Sequence, residues 1–205
     1  MPRRPGQARA IVCGMEHDVV LEGHGVRLVP LATEHAAALV ALIDDALWRG
    51  MTTATPTTPE QMTAHVEAAV AVPDRLAFTV LGPDDEVRGS TSFYDLSRAM
   101  GRVEIGNTYY GRAWWGGTTN PACKYLLLRH AFETWGLARV ALRADAQNAR
   151  SIAAIRRLGG VPEGVLRSHR VRPDGSRGDT AYFSILADEW STVRAGLESR
   201  LAAAV

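Results

Sequence analysis

The sequence predicts one domain of mixed α/β class, in which helices flank a central sheet. Between residues 104 and 158, a strand-like run is followed by a glycine-rich turn, an amphipathic helix, a second strand and a second helix. The segments before residue 104 include short runs of alternating hydrophobicity joined by turns, as in antiparallel hairpins. With 205 residues, 46% of them hydrophobic, the chain can bury one sizeable core, and nothing indicates a second domain.

The N-terminal end differs in composition from the rest of the chain. Its first segment, MPRRPGQARAIVCG, is rich in Pro, Gly and Arg and has no hydrophobic period, so residues 1–18 are predicted to be a disordered extension. The folded domain is expected over residues 19–205. Met15 is a candidate for the natural start, in which case the residues before it are a start-site choice or a cloning remnant.

The N-terminal half is predicted to contain four strands and two helices. Residues 26–31 alternate as a strand, and residues 34–48 carry apolar side chains at helical spacing. Thr57, Thr58 and Pro59 form a start signal for a second helix that ends near residue 72. The three further strands are 76–81, 87–94 and 102–110, of which the first two form a hairpin around GPDDE.

The C-terminal half is predicted to alternate helices and strands. The helix ACKYLLLRHAFETW follows the glycine-rich turn GGTTNP. The later elements are a strand at 140–144, a helix at 151–158, and two strands at 164–171 and 180–186 joined by RPDGSR.

The turn GGTTNP is the most informative segment for predicting function. Free N–H groups at a helix start, together with the positive end of the helix dipole, suit a phosphate or pyrophosphate. Each part alone is a weak signal, because Gly116 and Gly117 fit an ordinary turn and Asn120 before Pro121 fits a plain helix cap. A second polar helix start, NARS at 148–151, follows the next strand, and this order predicts a nucleotide-like cofactor site between the two strands.

Five stretches of the sequence belong together: LVPL at 28–31, VEIGNTYY at 103–110, WWGGTTNPACKYLLLRHAFE at 114–133, ADAQNARSIAAIRRLGGVPEGVLRSH at 144–169, and GDTAYFSILADEW at 178–190. They resemble the GNAT superfamily of N-acetyltransferases, and more narrowly the branch similar to the RimJ/RimL ribosomal-protein acetyltransferases. The resemblance implies a bacterial enzyme with one GNAT-like domain, a mostly antiparallel sheet splayed between its fourth and fifth strands, and acetyl-CoA as co-substrate without a metal.

By this resemblance, the acetyl-CoA loop consists of Trp115, Gly116, Gly117, Thr118, Thr119 and Asn120. The family pattern is Arg/Gln-x-x-Gly-x-Gly/Ala, so Thr118 stands where glycine is usual. Since any non-proline residue can donate its backbone N–H, the departure concerns the loop geometry more than cofactor binding. Gly117 is expected to take over the close approach, and the Thr118 and Thr119 hydroxyls are additional donors to the phosphates.

Two further positions are assigned to the cofactor by resemblance. Asn148 is expected to bind the pantetheine amides, although it is also a good helix cap. Tyr109, with Tyr110, is expected to contact pantetheine or the acetyl group, although aromatic residues at such a place belong to the core more often. The Thr-rich loop at residues 52–58 is a linker by composition and, by resemblance, borders the acceptor cleft.

The implied chemistry is direct attack of a neutral amine on the thioester, which requires a base for the ammonium and an acid for the thiolate. Glu104 is the first candidate for the base; the alternative is a carboxylate that pairs with Arg102 or with an arginine across the sheet. His169 is the competing base, because imidazole titrates near neutrality. In RimL-like relatives the base lies one residue further on, where Arg170 cannot accept a proton at neutral pH.

Ser151 is the candidate acid for the thiolate, and its alternative role is to cap a helix. No nucleophilic triad is expected, because the sequence has no GxSxG and neither cysteine has a histidine nearby.

Composition excludes several other classes of protein. The 23 Lys plus Arg against 22 Asp plus Glu give no field that would favour nucleic acid or an anionic membrane. The arginines at 167, 170, 172 and 177 indicate a solvated strand face or a lip for an acidic substrate. Cys13 and Cys123 form no CxxC, so neither a zinc site nor a disulfide framework is expected, and a reducing cytoplasm fits.

Two functions remain open at this stage. The first is an N-acetyltransferase acting on a protein or peptide N-terminus or on a small-molecule amine. The second is a non-catalytic acyl-CoA-binding module, which the arginine at position 170 would allow. Consumption of the thioester that depends on an added amine distinguishes them. A homodimer through the last strands is also expected, because they offer an exposed edge.

Overall fold

A computed structural model describes residues 17–172 and 174–203. The hypotheses on Met15 and on residues 1–16 therefore lie outside the described residues. The strands are β1 (Leu21–Gly23), β2 (Val26–Pro30), β3 (Leu76–Leu81), β4 (Val87–Ser97), β5 (Arg102–Tyr110), β6 (Arg139–Asp145), β7 (Val161–Val171) and β8 (Arg177–Leu186). The α-helices are α1 (Ala36–Val40), α2 (Asp45–Trp48), α3 (Pro59–Val70), α4 (Thr119–Arg129), α5 (Ala149–Arg157) and α6 (Trp190–Ala202).

The eight strands form one sheet in the order β1-β2-β3-β4-β5-β6-β8-β7. Every neighbouring pair is antiparallel except β5 and β6, which run parallel because α4 connects them as a crossover. The mixed, mostly antiparallel sheet that the sequence predicts is therefore confirmed.

The sheet splays between β5 and β6, the fourth and fifth of the predicted strands. The two strands pair only from Arg102 to Ile105 with Arg139 to Leu142, although β5 continues to Tyr110 and β6 to Asp145. Just beyond the last pair, β5 carries a bulge against β4 in which Asn107 has a φ of 48°. Since a bulge bends its strand and increases the twist, it turns the end of β5 away from β6.

Helices cover the two faces of the sheet unequally. On one face α4, α5 and α6 pack against most strands and form the larger core cluster, in which Phe78, Phe93, Leu126, Leu127 and Ile185 are almost fully buried. On the other face α1, α2 and α3 form a smaller cluster around Trp48 and Met62. No residue of β6 or β8 belongs to that smaller cluster. None of the helices in the described part of the chain is long and apolar enough to cross a bilayer.

The single helix predicted over residues 34–48 is wrong. A 3-10 turn, Thr33–His35, leads into α1, and α2 starts afresh at Asp45. The break occurs at Asp44, which is extended at φ −143° and ψ 172° and whose carboxylate accepts the N–H of Leu47. Asp competes with the helix for its own backbone and so favours a cap, which an apolar periodicity does not reveal.

Other elements also differ from the prediction. The short strand β1 and the C-terminal helix α6 were not predicted, although Trp190, Val193 and Leu197 are buried in α6 at helical spacing. The helix after the glycine-rich turn begins at Thr119 rather than after Asn120, without a side-chain cap, and ends in a π-helical turn at His130–Thr134. The helix start at Thr58 and the hairpin of β3 and β4 are confirmed.

Candidate active site

The loop between β5 and α4 presents a row of unused backbone donors. A short 3-10 turn, Arg112–Trp114, follows β5, and Gly116 then takes a φ of 78°, a conformation that favours glycine. Within the described part of the chain, the N–H groups of residues 116–120 donate to no protein acceptor. A Cβ added at Gly116 or Gly117 would meet no atom within 4 Å, so there is open space beside these two residues. Five such donors beside a helix N-terminus suit the pyrophosphate of acetyl-CoA.

The threonine that departs from the family pattern causes no strain in this loop. Thr118 has a φ of −82° and a ψ of −18°, in the ordinary helical region. Thr119 is 2% exposed and its hydroxyl accepts a hydrogen bond of 3.3 Å from Arg88 Nη1. The Thr119 hydroxyl is therefore engaged by Arg88.

Trp115 is stacked between two arginines beside the loop. Its Nε1 donates to the carbonyl of Tyr110 over 2.8 Å, and the guanidinium carbons of Arg112 and Arg150 lie 4.8 and 3.4 Å from its ring centre. Asp44 pairs with Arg112 at 2.8 Å, whereas Arg150 pairs with no carboxylate of the described residues. Arg150 thus adds positive charge near the donor row, and the sequence analysis did not single it out.

The start of α5 lies beside the splayed ends of β5 and β6. Asn148 caps α5, since its Oδ1 accepts the N–H of Ser151 over 3.0 Å. The capping role left open for Asn148 is therefore present, and Nδ2 stays available to another partner. The Ser151 hydroxyl makes no hydrogen bond to the described residues, so it is free to serve a ligand.

Glu104 is 5% exposed and lines a cavity of about 260 Å³ on the sheet face that α4 to α6 leave uncovered. Its carboxylate accepts a hydrogen bond from the Tyr94 hydroxyl. It also forms an ion pair with Arg143, whose Nε lies 2.8 Å from Glu104 Oε1. Burial raises the pKa of Glu104, and the bonds from Tyr94 and Arg143 oppose that rise. The sequence analysis gave Arg102 or an arginine across the sheet as possible partners of Glu104. Arg102 pairs with Asp95 instead, and the arginine that pairs with Glu104 is Arg143.

Gly106 explains how Tyr94 reaches Glu104. A Cβ at Gly106 would lie 2.8 Å from Cε1 and 2.9 Å from the hydroxyl of Tyr94. Only glycine allows the ring to cross β5 this closely. The pair Tyr94 and Glu104 thus lies directly before the bulge, at the entrance to the splay.

His169 and Arg170 occupy different surroundings. His169 lies on β7, 3.2 Å from Thr180 Oγ1 and edge-on to Tyr182, and it does not line the cavity of Glu104. Arg170 donates to the carbonyl of Gly50 over 2.6 Å and approaches Asp145, which also pairs with Arg172 at 2.9 Å. Arg170 therefore ties the loop after α2 to the end of β6, and these two arginines are not a uniformly solvated face.

A second cavity, of about 100 Å³, lies between α3, the loop after α2 and the sheet. Tyr109 lines it and packs edge-on against Trp48, so this tyrosine faces the α3 side of the sheet rather than the donor row. Thr52 and Thr53 also line it, where the sequence placed the edge of the acceptor cleft. His65 is a lining residue that the sequence analysis missed; burial, and then the charge of Arg75, lower its pKa.

Thiol and metal chemistry find no support among the described residues. Cys123 is fully buried in the larger core, and burial raises the pKa of its thiol to about 11, which makes it inert. Cys13 lies outside the described residues. Across residues 17–172 and 174–203 no three His, Cys, Asp or Glu side chains come together in a way that could bind a metal ion.

The chain belongs to the family of acetyltransferase (GNAT) domains, whose model matches residues 26–161. A Bacillus subtilis (strain 168) protein provisionally named ribosomal N-acetyltransferase YdaF is 32% identical over 107 residues. The match covers 52% of this chain and 57% of YdaF, so the chain spans little more than half the length of that relative.

Solved structures agree with this assignment. An acetyltransferase, also provisionally named, from T. thermophilus is 39% identical with a TM-score of 0.84, over 89% of this chain and 96% of its own. Mycobacterium smegmatis RimJ, solved in complex with CoA-disulfide, shares the fold at 22% identity and a TM-score of 0.72, over 90% of this chain and 93% of RimJ. The GNAT family that the sequence predicts is confirmed by the family model, and the similarity to YdaF is consistent with the predicted RimJ/RimL-like branch.

Proposed function

We propose that this protein moves the acetyl group of acetyl-CoA to a primary amine by direct transfer. The observation that carries the proposal is the row of five unused N–H donors at the start of α4, which lies after a strand that parts from its neighbour. Membership of the acetyltransferase family supports the same reading. The splay gives the pantetheine arm a path through the sheet, so that the thioester meets an amine from the face of α1 to α3.

The starts of α4 and α5 are proposed to bind acetyl-CoA. The N–H groups of residues 116–120 bind the pyrophosphate. Arg150, which stacks on the Trp115 ring, attracts the negative charge of the phosphates. Asn148 Nδ2 donates to a pantetheine carbonyl, and the Ser151 hydroxyl donates its proton to the departing thiolate. The group transferred is the acetyl: the amine nitrogen bonds to its carbonyl carbon, and the carbon–sulfur bond breaks.

Glu104 acts as the base, through water in the cavity that it lines. A buried carboxylate whose pKa is raised accepts a proton more readily than an exposed one, and this suits the role. The Tyr94 hydroxyl and Arg143 hold its carboxylate at the entrance to the splay. His169 remains the alternative base. His65 is a further candidate, because it lines the second cavity and burial lowers its pKa.

The acceptor is proposed to be a protein or peptide N-terminus or a small-molecule amine. The name of YdaF points to ribosomal protein, whereas Arg170 replaces the base expected by resemblance to RimL-like enzymes and favours a different acceptor. The fold alone does not fix the acceptor. A balanced charge fits a cytoplasmic protein that binds neither nucleic acid nor membrane.

Release of the CoA thiol in the presence of a panel of amines tests the proposal. Peptides with free N-termini and small amines should consume acetyl-CoA, and the same peptides with blocked N-termini should not. If CoA binds but no amine consumes the thioester, the non-catalytic binding module is the correct function.

A further inference from the structure

Arg75 is a cation in the second cavity that no carboxylate of the described residues neutralises. Within the described part of the chain, its one hydrogen bond runs from Nε to Ser92 Oγ over 3.1 Å. The arginines of the first cavity are different, since each pairs with an acid. Those pairs are Arg102 with Asp95, Arg139 with Glu163 and Arg143 with Glu104.

Among the described residues, none that lines the cavity with Arg75 carries a negative charge. The other groups that line this cavity are neutral: hydroxyls, an amide, a histidine and apolar side chains. Burial lowers the pKa of Arg75, yet a guanidinium stays protonated in proteins. Because a partly buried charge without a counterion is costly, an anionic group bound in this cavity would stabilise Arg75.

The cavity adjoins the place where the sheet opens. Asn107, the bulged residue of β5, and Tyr109 line it together with Arg75. These residues follow the last pair between β5 and β6, Ile105 with Leu142. Arg75 itself precedes Leu76, which pairs with Phe93, so it lies beside Tyr94, the partner of Glu104. A group bound by Arg75 would therefore lie close to the proposed transfer site.

We infer that the acceptor amine carries a carboxylate within a few bonds of its nitrogen, and that Arg75 binds this carboxylate. The inference rests on the proposed function and narrows its acceptor class. A volume of about 100 Å³ accommodates several waters, or a carboxylate with its first methylene groups, and is too small for a large side chain. Arg75 can bind a carboxylate through two parallel hydrogen bonds, and the hydroxyls of Thr52 and Thr53 can assist it.

The test compares acceptors that differ in one carboxylate. Peptides that begin with Asp and with Asn are one pair, and β-alanine and its amide are another, so that the two sources of a carboxylate are separated. Measured by thiol release, kcat/KM should be about 10- to 100-fold higher for the carboxylate-bearing member of at least one pair, as expected for a charged hydrogen bond. Arg75→Met should remove this preference. Arg157→Met, which changes an exposed arginine of α5, is the matched control and should keep it.

Binding of reaction products separates this inference from the proposed function. Calorimetry on the CoA-bound protein compares the N-acetylated Asp and Asn peptides and the N-acetylated β-alanine pair. Tighter binding of the acidic products, lost in Arg75→Met, supports the inference even if no amine is turned over. Equal binding within both pairs, or equal turnover of charged and neutral acceptors, overturns it and leaves the acetyltransferase proposal intact. A preference that survives in a folded Arg75→Met protein overturns it as well.

Discussion

At the scale of single residues, the charged groups near the splay differ in how they are neutralised. Glu104 is buried, yet Arg143 and Tyr94 satisfy its carboxylate. Lys124 is also buried, and among the described residues its Nζ donates only to the Thr108 hydroxyl, 3.1 Å away. We therefore predict an effect of Glu104 on catalysis and an effect of Lys124 on stability.

Replacing Glu104 by Gln should lower kcat/KM by about 10²- to 10⁴-fold, the usual worth of a general base. The affinity for acetyl-CoA should not change, because Glu104 lies on the proposed acceptor side. The loss should shrink as pH rises, because more of the acceptor amine is then already neutral. Thiol-release kinetics across pH measure this effect.

Variants of the two histidines that are alternative bases, His169 and His65, are the controls for this prediction. His169→Ala and His65→Ala should each retain most of the activity if Glu104 is the base. Full activity in Glu104→Gln together with a large loss in one histidine variant would assign the base to that histidine. If all three variants are active, Ser151→Ala becomes the informative change, because only thiolate departure is left to catalyse.

Lys124 is the single lysine of the sequence, and burial lowers its pKa to about 8 from the ordinary 10.5. Between these values the unfolded chain binds a proton that the folded chain does not, so the free energy of unfolding contributed by Lys124 rises with pH. Across this window the wild-type protein should gain about 3 kcal/mol relative to Lys124→Met. Urea unfolding on both sides of the window measures the difference, and parallel pH profiles for the two proteins would contradict it.

At the scale of elements, the start of α4 and the bulge in β5 are the features that build the site. The loop before α4 exposes its donors because Gly116 takes a positive φ and Thr118 already adopts a helical conformation. The bulge at Asn107 turns β5 away from β6 and brings Tyr109 to the α3 side. Neither feature depends on the identity of the acceptor.

Gly117→Phe should weaken binding of acetyl-CoA by about 1–3 kcal/mol, the typical cost of losing hydrogen bonds to a charged group. The added ring meets no protein atom at its Cβ, so it should occupy the space before the donor row without disturbing the fold. Calorimetry of acetyl-CoA binding is the measurement. Gly196→Phe, at an equally open glycine of α6, is the control and should bind normally.

At the scale of the whole molecule, the two ends of the sheet differ in exposure. The edge next to β2 is the three-residue β1, whereas the opposite edge is the eleven-residue β7. Val161, Val165, Leu166 and Val171 of β7 are 46–54% exposed. The last strand, β8, is interior, so the edge that the sequence assigned to the final strands is β7 alone.

A homodimer through β7 is the corresponding prediction. Pairing of two β7 strands would cover their apolar side chains and the unpaired backbone groups of a long edge. Light scattering at micromolar concentration should give twice the chain mass, and Val165→Lys, in the middle of the edge, should give the mass of one chain. A monomeric wild-type protein would contradict this interface.

Much of the fold could be predicted from sequence because the signals are local. The strands at 76–81 and 102–110 agree with β3 and β5, and Thr58 before Pro59 marks the start of α3. The helix at 34–48 failed because the carboxylate of Asp44 interrupts an apolar period that otherwise continues. The helix α6 was not predicted, although its apolar residues Trp190, Val193 and Leu197 recur at helical spacing in the sequence.

The mixed α/β class, the acetyltransferase resemblance and the position of the turn that is proposed to bind phosphate follow from the amino-acid sequence, because they depend on local backbone chemistry and motif order. Which charges meet depends instead on the three-dimensional fold. The fold paired Glu104 with Arg143, engaged Arg170 with Gly50, and left Arg75 without an acid among the described residues. Glu104 and Arg143 are 39 positions apart and meet through the register of β5 with β6. Arg170 and Gly50 are 120 positions apart and meet because the loop after α2 packs against β7, which sequence spacing does not reveal.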